Sequence, residues 1–219
     1  MVTERQKAFR QEYRSRIMGW YDGYLHIVII YAMGAAAFTI YLQHIHDVTP
    51  LEWLTIPVTF LFTNVFEWAV HRFVMHRPVG PFKYPYKSHA ITHHGTFTAA
   101  KDYHIQEGVD PHLVTMAWWN GPVLLLLNVP TGLLAWKLTG SWVATAVFMG
   151  VMTLYYATYE YFHWCMHVPA GRWFQKTRVF KWIDQHHRLH HLEPMRNLNV
   201  VLPIADYLLR TRLSRAPQP

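Results

Sequence analysis

The stretch Thr63-Asn-Val-Phe-Glu67-Trp-Ala-Val-His71-Arg-Phe-Val-Met-His76 decides the reading of this chain, because an apolar run ends there in two histidines. The run starts at Leu51 and reaches Val70, close to the ~20 residues a helix needs to cross a ~30 Å hydrocarbon core. Three further runs have similar length: Tyr24–Leu42, Leu113–Trp136 and Ser141–Phe162. The third holds Gly121-Pro122 and Pro130, so it is expected to kink or break. Trp118, Trp119, Trp136 and Trp142 fall near run ends, where amphipathic rings favour a membrane boundary.

Composition agrees with this segregation. Hydrophobic residues make up 52% of the 219 positions, yet the mean hydropathy is only +0.01. The apolar runs must therefore be offset by very polar stretches. The formal net charge of +7 is carried by Lys and Arg beside the runs. No helix-turn-helix, zinc-finger or RNA-recognition pattern accompanies it, so nucleic acid is not an expected partner. Arg5, Lys7, Arg10, Arg14 and Arg16 precede run one, whereas residues 43–50 carry no Lys or Arg. Arg72, Arg77, Lys83, Lys87 and Lys101 follow run two, and only Lys137 separates runs three and four. Arg172, Lys176, Arg178, Lys181, Arg188 and Arg196 follow run four. The positive-inside rule then places both termini and the long central loop in the cytoplasm. The expected fold is all-α, one membrane domain over 1–219 with four spans as two hairpins. Its polar segments 71–112 and 163–210 form a cytosolic helical cap, with helices over Tyr86–Phe97 and Lys181–Leu192. The charged first sixteen residues, followed by a full-length apolar segment, argue against a cleavable signal peptide.

Sixteen histidines are several times an ordinary share, and they cluster. The blocks are His71-x4-His76, His89-x3-His93-His94, His163-x3-His167 and His187-x2-His190-His191. Residues three or four apart lie about 60° or 40° off one helical face, so their imidazoles can share an ion. His89/His93, His163/His167 and His187/His191 meet that condition. The second member of each His-His pair points about 100° away, towards a different metal. His71 and His76 are about 140° apart on an ideal helix, so they straddle a helix end or serve different metals. Ten imidazoles suit two ions, and imidazole alone leaves Zn, Cu, Fe and Ni open. Cys165 is the sole cysteine, which excludes a thiolate site and an internal disulfide. Glu67 and Glu160 stand four and three residues before His71 and His163, placed to accept a hydrogen bond from a ligand imidazole. Asp184 and Asn197 flank the last block and are candidates for a similar part, or for holding a water. His26, His44, His46 and His112 lack such context, while His104 and His186 are intermediate. Tyr155, Tyr156, Tyr159 and Tyr161 read as packing.

From about Asn64 to Leu208 the chain resembles the fatty acid hydroxylase superfamily, which includes fatty acid 2-hydroxylases, sterol C4-methyl oxidases and carotenoid hydroxylases. The likeness rests on Glu67–His76, the H-x3-HH block, Tyr159-Glu-Tyr-Phe-His163-x3-His167, the H-x2-HH block and Asn199-Val-Val-x-Pro203-x-x-Asp206. It implies a non-haem centre of two Fe ions held by His71, His76, His89, His93, His94, His163, His167, His187, His190 and His191. The preference for His187 over His186 follows the family's spacing. O₂ is the implied co-substrate, and hydroxylation or desaturation of a lipid the implied reaction. The middle blocks look like those of fatty acid 2-hydroxylases; carotenoid hydroxylases generally show H-x2-HH and H-x4-H there. An acyl substrate is therefore expected, with a carotenoid or sterol as the alternative. Nothing before Tyr24 can be a fused cytochrome b5 domain, so a separate ferredoxin or cytochrome b5-type protein with its reductase is the expected electron donor. With no lysine-based retrieval tail, a bacterial inner membrane is favoured over the ER. A metal transporter would place ionisable ligands at mid-membrane, and a two-metal hydrolase would bridge its ions with carboxylates; the blocks do neither.

Overall fold

The computed structural model describes residues 4–16, 19, 22–80, 83–99, 102–105, 111–117, 120–169 and 171–216. Among these the chain is helical, with no strand beyond an isolated bridge between Thr98 and Asp102. After the charged helix α1 (Glu4–Ser15) come α2 (Gly23–Leu42), the short α3 (Pro50–Trp53) and α4 (Thr55–Val70). Asp22 opens α2 by accepting from the backbone N–H groups of Tyr24 (2.8 Å) and Leu25 (3.0 Å). Thr49 and Glu52 form a capping box on α3. The Ser141 hydroxyl donates to Glu52 and ties this end to the start of α9 (Trp142–His167). Between them lie α5 (Lys83–Tyr86), α6 (His94–Thr96), α7 (Pro111–Val114) and α8 (Asn120–Thr139). The chain closes with α10 (Arg178–Leu192) and α11 (Ile204–Leu208).

Helix α9 is the central post, against which α2, α4 and α8 all pack. Three helical stretches are long and apolar enough to cross a membrane: Gly23–Leu42, Pro50–Met75 and Asn120–Thr139. Their outward faces carry exposed large apolar side chains such as Leu25, Val28, Leu61, Leu126 and Leu138. A continuous surface of that kind is stable against hydrocarbon and unstable against water. Trp136 and Trp142 stack 5.1 Å apart where α8 turns into α9, as expected of rings at a membrane boundary. Trp118, Trp119 and Lys101 lie outside the described residues.

The third run departs from its expected bounds. The crossing helix begins at Asn120, not Leu113, and residues 111–114 form the separate helix α7. Pro122 then occupies the first turn of α8, where its missing N–H costs nothing. Pro130 stays inside the helix. Released from the span, Leu113 and Met116 roof the histidine chamber described below.

One glycine sets how closely α8 approaches α9. A Cβ at Gly132 would stand 2.7 Å from Met149 Sδ, and one at Gly34 would meet nothing within 4 Å. Gly132→Val is expected to lower the thermal midpoint in detergent, while Gly34→Ala leaves it nearly unchanged. Equal midpoints for both variants would show that α8 and α9 do not depend on this contact.

Candidate metal centre

Four segments converge at one end of the bundle and bring all ten histidines of the sequence blocks together. Two sets of ring nitrogens lie within 4.8 Å of one another: His71, His76, His89, His94 and His190 in one, His93, His163, His167 and His187 in the other. His191 joins the second set, its Nε2 3.1 Å from that of His187 and 3.2 Å from that of His93. Each set can hold a metal ion.

The partition follows local helix geometry. Residues His71–Met75 and Lys87–His93 are wound as π-helix. The i→i+5 hydrogen bond of that winding, seen from His76 N to His71 O at 3.1 Å, brings residues five apart onto one face. His71 and His76 therefore meet in one set instead of diverging by the α-helical angle. For the same reason His89 pairs with His94, not with His93 as α-helical spacing predicts. His163 and His167, on regular α9, do share a set, and His187 and His191 meet on α10 as expected. Both His-His pairs divide between the two sets, as their 100° offset predicts.

Ring orientation comes from backbone carbonyls. Nδ1 of His93 meets Leu113 O at 2.6 Å, His167 meets Tyr103 O at 2.8 Å, His190 meets Arg196 O at 2.9 Å and His191 meets Phe97 O at 2.7 Å. His71 Nδ1 likewise donates to Leu198 O. A carbonyl only accepts, so the proton sits on Nδ1 and the Nε2 lone pair faces inward. His93 and His191 show the consequence, with two bare Nε2 lone pairs 3.2 Å apart. A shared cation turns that repulsion into ligation. Nε2 of His163 is buried with no hydrogen-bond partner among the described residues, which also suits a metal.

Electrostatics agree. Burial, and then the neighbouring His71 and His93, push His76 down to about 2; burial takes His93 down to about 3 against the raising effect of its bond to Leu113. His89, His94, His187, His190 and His191 are all driven well below the ordinary value, burial first and their histidine neighbours next. Neutral imidazole is the form that binds metal.

Glu67 and Glu160 accept nothing from these rings. Glu67 instead receives Tyr155 OH at 2.5 Å, Asn199 Nδ2 at 3.0 Å and Val200 N at 2.5 Å. Glu160 receives Met116 N at 3.3 Å. Both act one layer out, holding the segments that carry the carbonyl acceptors. Asn197, at φ 54°, donates to His186 O and Leu213 O at 3.0 Å each and clips the turn after α10. Asp184 pairs with Arg188 at 2.9 Å, and His104 contacts Arg188 at 3.3 Å. His186 turns away from both sets and donates to Asp206 at 3.0 Å. Asp206 is fully buried and also accepts from Leu198 N (3.0 Å), Asn199 N (2.8 Å) and Thr211 Oγ1 (2.5 Å). Burial alone would raise its pKa, but the bonds from His186, Thr211, Asn199 and Leu198 hold it below the ordinary value. The carbonyl acceptors, and Asp206 as an organising acceptor, were not readable from side-chain motifs. The only hint was the Asn199–Asp206 ending.

Below about pH 6.5 the unfolded chain takes up protons that the folded histidines refuse, so stability must fall with acid, by roughly 1.4 kcal/mol per pH unit for each such group. Acid release of metal is therefore expected to coincide with unfolding in detergent. Metal loss at pH 6 from a protein with intact near-ultraviolet circular dichroism would contradict the buried, neutral site. Asp206→Ala leaves several buried donors unpaired and is expected to cost about 3–5 kcal/mol. The thermal midpoint checks it; a drop no larger than for a surface change would remove Asp206 from that role.

No protein-family model matches the chain, and no curated protein matches it. Among solved structures, the fold is similar to "Full length scs7p (only hydroxylase domain visible)", with a TM-score of 0.57 and 18% identity. The match covers 88% of this chain and 67% of that one. The chain thus shares the fold of that domain, and its two histidine groups could each hold a metal ion.

Proposed function

We propose that the chain is a membrane di-iron oxygenase that uses O₂ to hydroxylate a C–H bond of a lipid acyl chain. The observation that carries this reading is a cavity joining the histidine chamber to the apolar faces of the crossing helices. Its volume is about 440 Å³, within the range of small-molecule sites. His89, His93 and His163 line its inner end, and the exposed residues Phe66, Val123 and Leu127 line its mouth. A second apolar pocket of about 120 Å³ reaches His71 along Glu67, Met75 and Tyr155.

Two iron ions with O₂ would supply the oxidising power when bound. The ten imidazoles supply the neutral nitrogen ligands, His71, His76, His89, His94 and His190 for one ion and His93, His163, His167, His187 and His191 for the other. Backbone carbonyls hold the rings of His71, His93, His167, His190 and His191 in the ligating tautomer. Met75, Leu113 and Tyr159 exclude water from the inner end of the cavity, where a flexible chain can be held with one carbon towards the histidines. A mouth between α4 and α8 admits a substrate from the bilayer without passage through water.

The same reading includes α9 as a fourth span, two hairpins with both termini cytoplasmic, and residence in a bacterial inner membrane. Electrons come from a separate ferredoxin or cytochrome b5-type protein with its reductase. A carotenoid or sterol remains the alternative substrate, and desaturation the alternative outcome.

Purified protein is expected to carry about two irons, and His190→Ala clearly fewer. Two zinc ions with no iron uptake under reducing conditions would sink the oxidative reading. Val123→Trp narrows the mouth without touching a histidine. It is expected to keep both metals while lowering hydroxylated lipid in expressing cells more than tenfold, the scale on which misplacing a bound substrate acts. Undiminished product would disconnect the cavity from the reaction.

A further inference from the structure

Downstream of the histidine blocks the chain presents a surface that the proposed chemistry does not use. Tyr207, Leu208 and Leu209 are 52%, 67% and 45% exposed at the end of α11. They do not belong to a loose tail. Arg210 adopts a left-handed φ of 57°, which turns the chain back so that Thr211 N and Arg212 N donate to Asp206 O at 2.9 and 3.1 Å. The three apolar side chains are thus displayed on a fixed turn.

The attachments of this turn set its depth. Asn64 Nδ2 donates to Leu202 O at 2.7 Å, and Asn64 Oδ1 accepts from Ala205 N at 2.9 Å. Trp68 Nε1 donates to Thr211 Oγ1 at 2.8 Å. Asn64 and Trp68 lie inside the membrane-crossing stretch Pro50–Met75. At 1.5 Å per residue, Asn64 sits about 10 Å further along that helix than His71. The turn 207–212 is therefore clamped through Thr211 to the last turns of that membrane-crossing stretch.

Its charge is one-sided. Between residues 195 and 216 stand Arg196, Arg210, Arg212 and Arg215, and the sole acid there, Asp206, is fully buried. The Arg212 guanidinium lies 4.6 Å over the Tyr207 ring, and that of Arg72 lies 5.4 Å over Trp68. Apolar residues between aromatic rings and arginines are the composition of an interfacial anchor, in which the cations are drawn to an anionic surface.

We infer that the turn Tyr207–Arg212 is a second membrane contact, in which Tyr207, Leu208 and Leu209 enter the headgroup–acyl boundary and Arg210, Arg212 and Arg215 bind anionic phospholipid headgroups. This rests on the membrane reading of α4 and not on the oxygenase chemistry.

The test uses spin-labelled Leu208→Cys in nanodiscs of phosphatidylcholine with phosphatidylglycerol. Cys165 is 1% exposed, so it does not compete for label. Gln11→Cys, exposed on the charged helix α1, is the aqueous reference, and Leu133→Cys, on the outward face of α8, is the lipid reference that reports on the membrane reading itself. The Leu208 label is expected to collide severalfold more with dissolved oxygen than with a water-soluble nickel complex, following Leu133. A label that follows Gln11 while Leu133 reads lipid overturns the anchor, and leaves the face open to an acidic protein. The combined variant R210Q/R212Q/R215Q, with unchanged far-ultraviolet circular dichroism, is expected to lose most of the phosphatidylglycerol retained in native mass spectrometry. Undiminished retention overturns the headgroup assignment.

Discussion

Ten imidazoles packed into one chamber are driven towards the neutral form by burial and by one another, and the rest of the structure is arranged around that constraint. Each charge admitted there would face both a desolvation penalty and its neighbours' repulsion, as the depressed values of His76 and His93 show. Neutrality alone is not enough, because a neutral ring has two tautomers. The carbonyls of Phe97, Tyr103, Leu113, Arg196 and Leu198 resolve that choice by accepting from Nδ1. Every one of these carbonyls belongs to a loop or helix end, where backbone oxygens are not consumed by the helix itself. Irregular backbone around the chamber is thus part of how the chamber works.

Those loops need anchoring, and the polar residues buried between helices provide it. Asp206 gathers Leu198, Asn199, Thr211 and His186; Glu67 gathers Asn199, Val200 and Tyr155. Asn64 ties the same segment to α4 through Leu202 and Ala205. On the other side Arg10 of α1 reaches Asp102 at 3.1 Å, both side chains buried, beside the loop that offers the Phe97 and Tyr103 carbonyls. In a low-dielectric interior the satisfied Asp206 and Glu67 networks are worth most and are costly to break. Carboxylates that looked like direct partners of the histidines therefore act through the backbone they hold.

Much of this was legible in the residues. Four histidine blocks at the ends of apolar runs indicated a helical membrane protein with a histidine site on one side, and three helices of crossing length and two histidine groups agree. His186, beside the last block, was harder to place, and only its bond to Asp206 accounts for it. The split of each His-His pair followed from the angle between adjacent helical residues. Spacing arguments failed where they assumed α-helix, since His89 meets His94 through π winding. His71 and His76 do straddle a helix end, and π winding there brings them into one set.

The sequence by itself determined the apolar runs, the number and kind of candidate ligands, and their clustering at run ends. These depend on composition and local period, which a linear chain displays openly. Tertiary structure alone decided which histidines share an ion, which carbonyl orients each ring, where the third run begins, and that a cavity joins the chamber to the bundle's outer face. Those features rest on hydrogen bonds to backbone atoms that every residue possesses, and on contacts across 90 or more positions, such as Phe97 with His191 and His71 with Leu198. A carbonyl has no side-chain signature, so only the folded chain reveals which one a histidine finds.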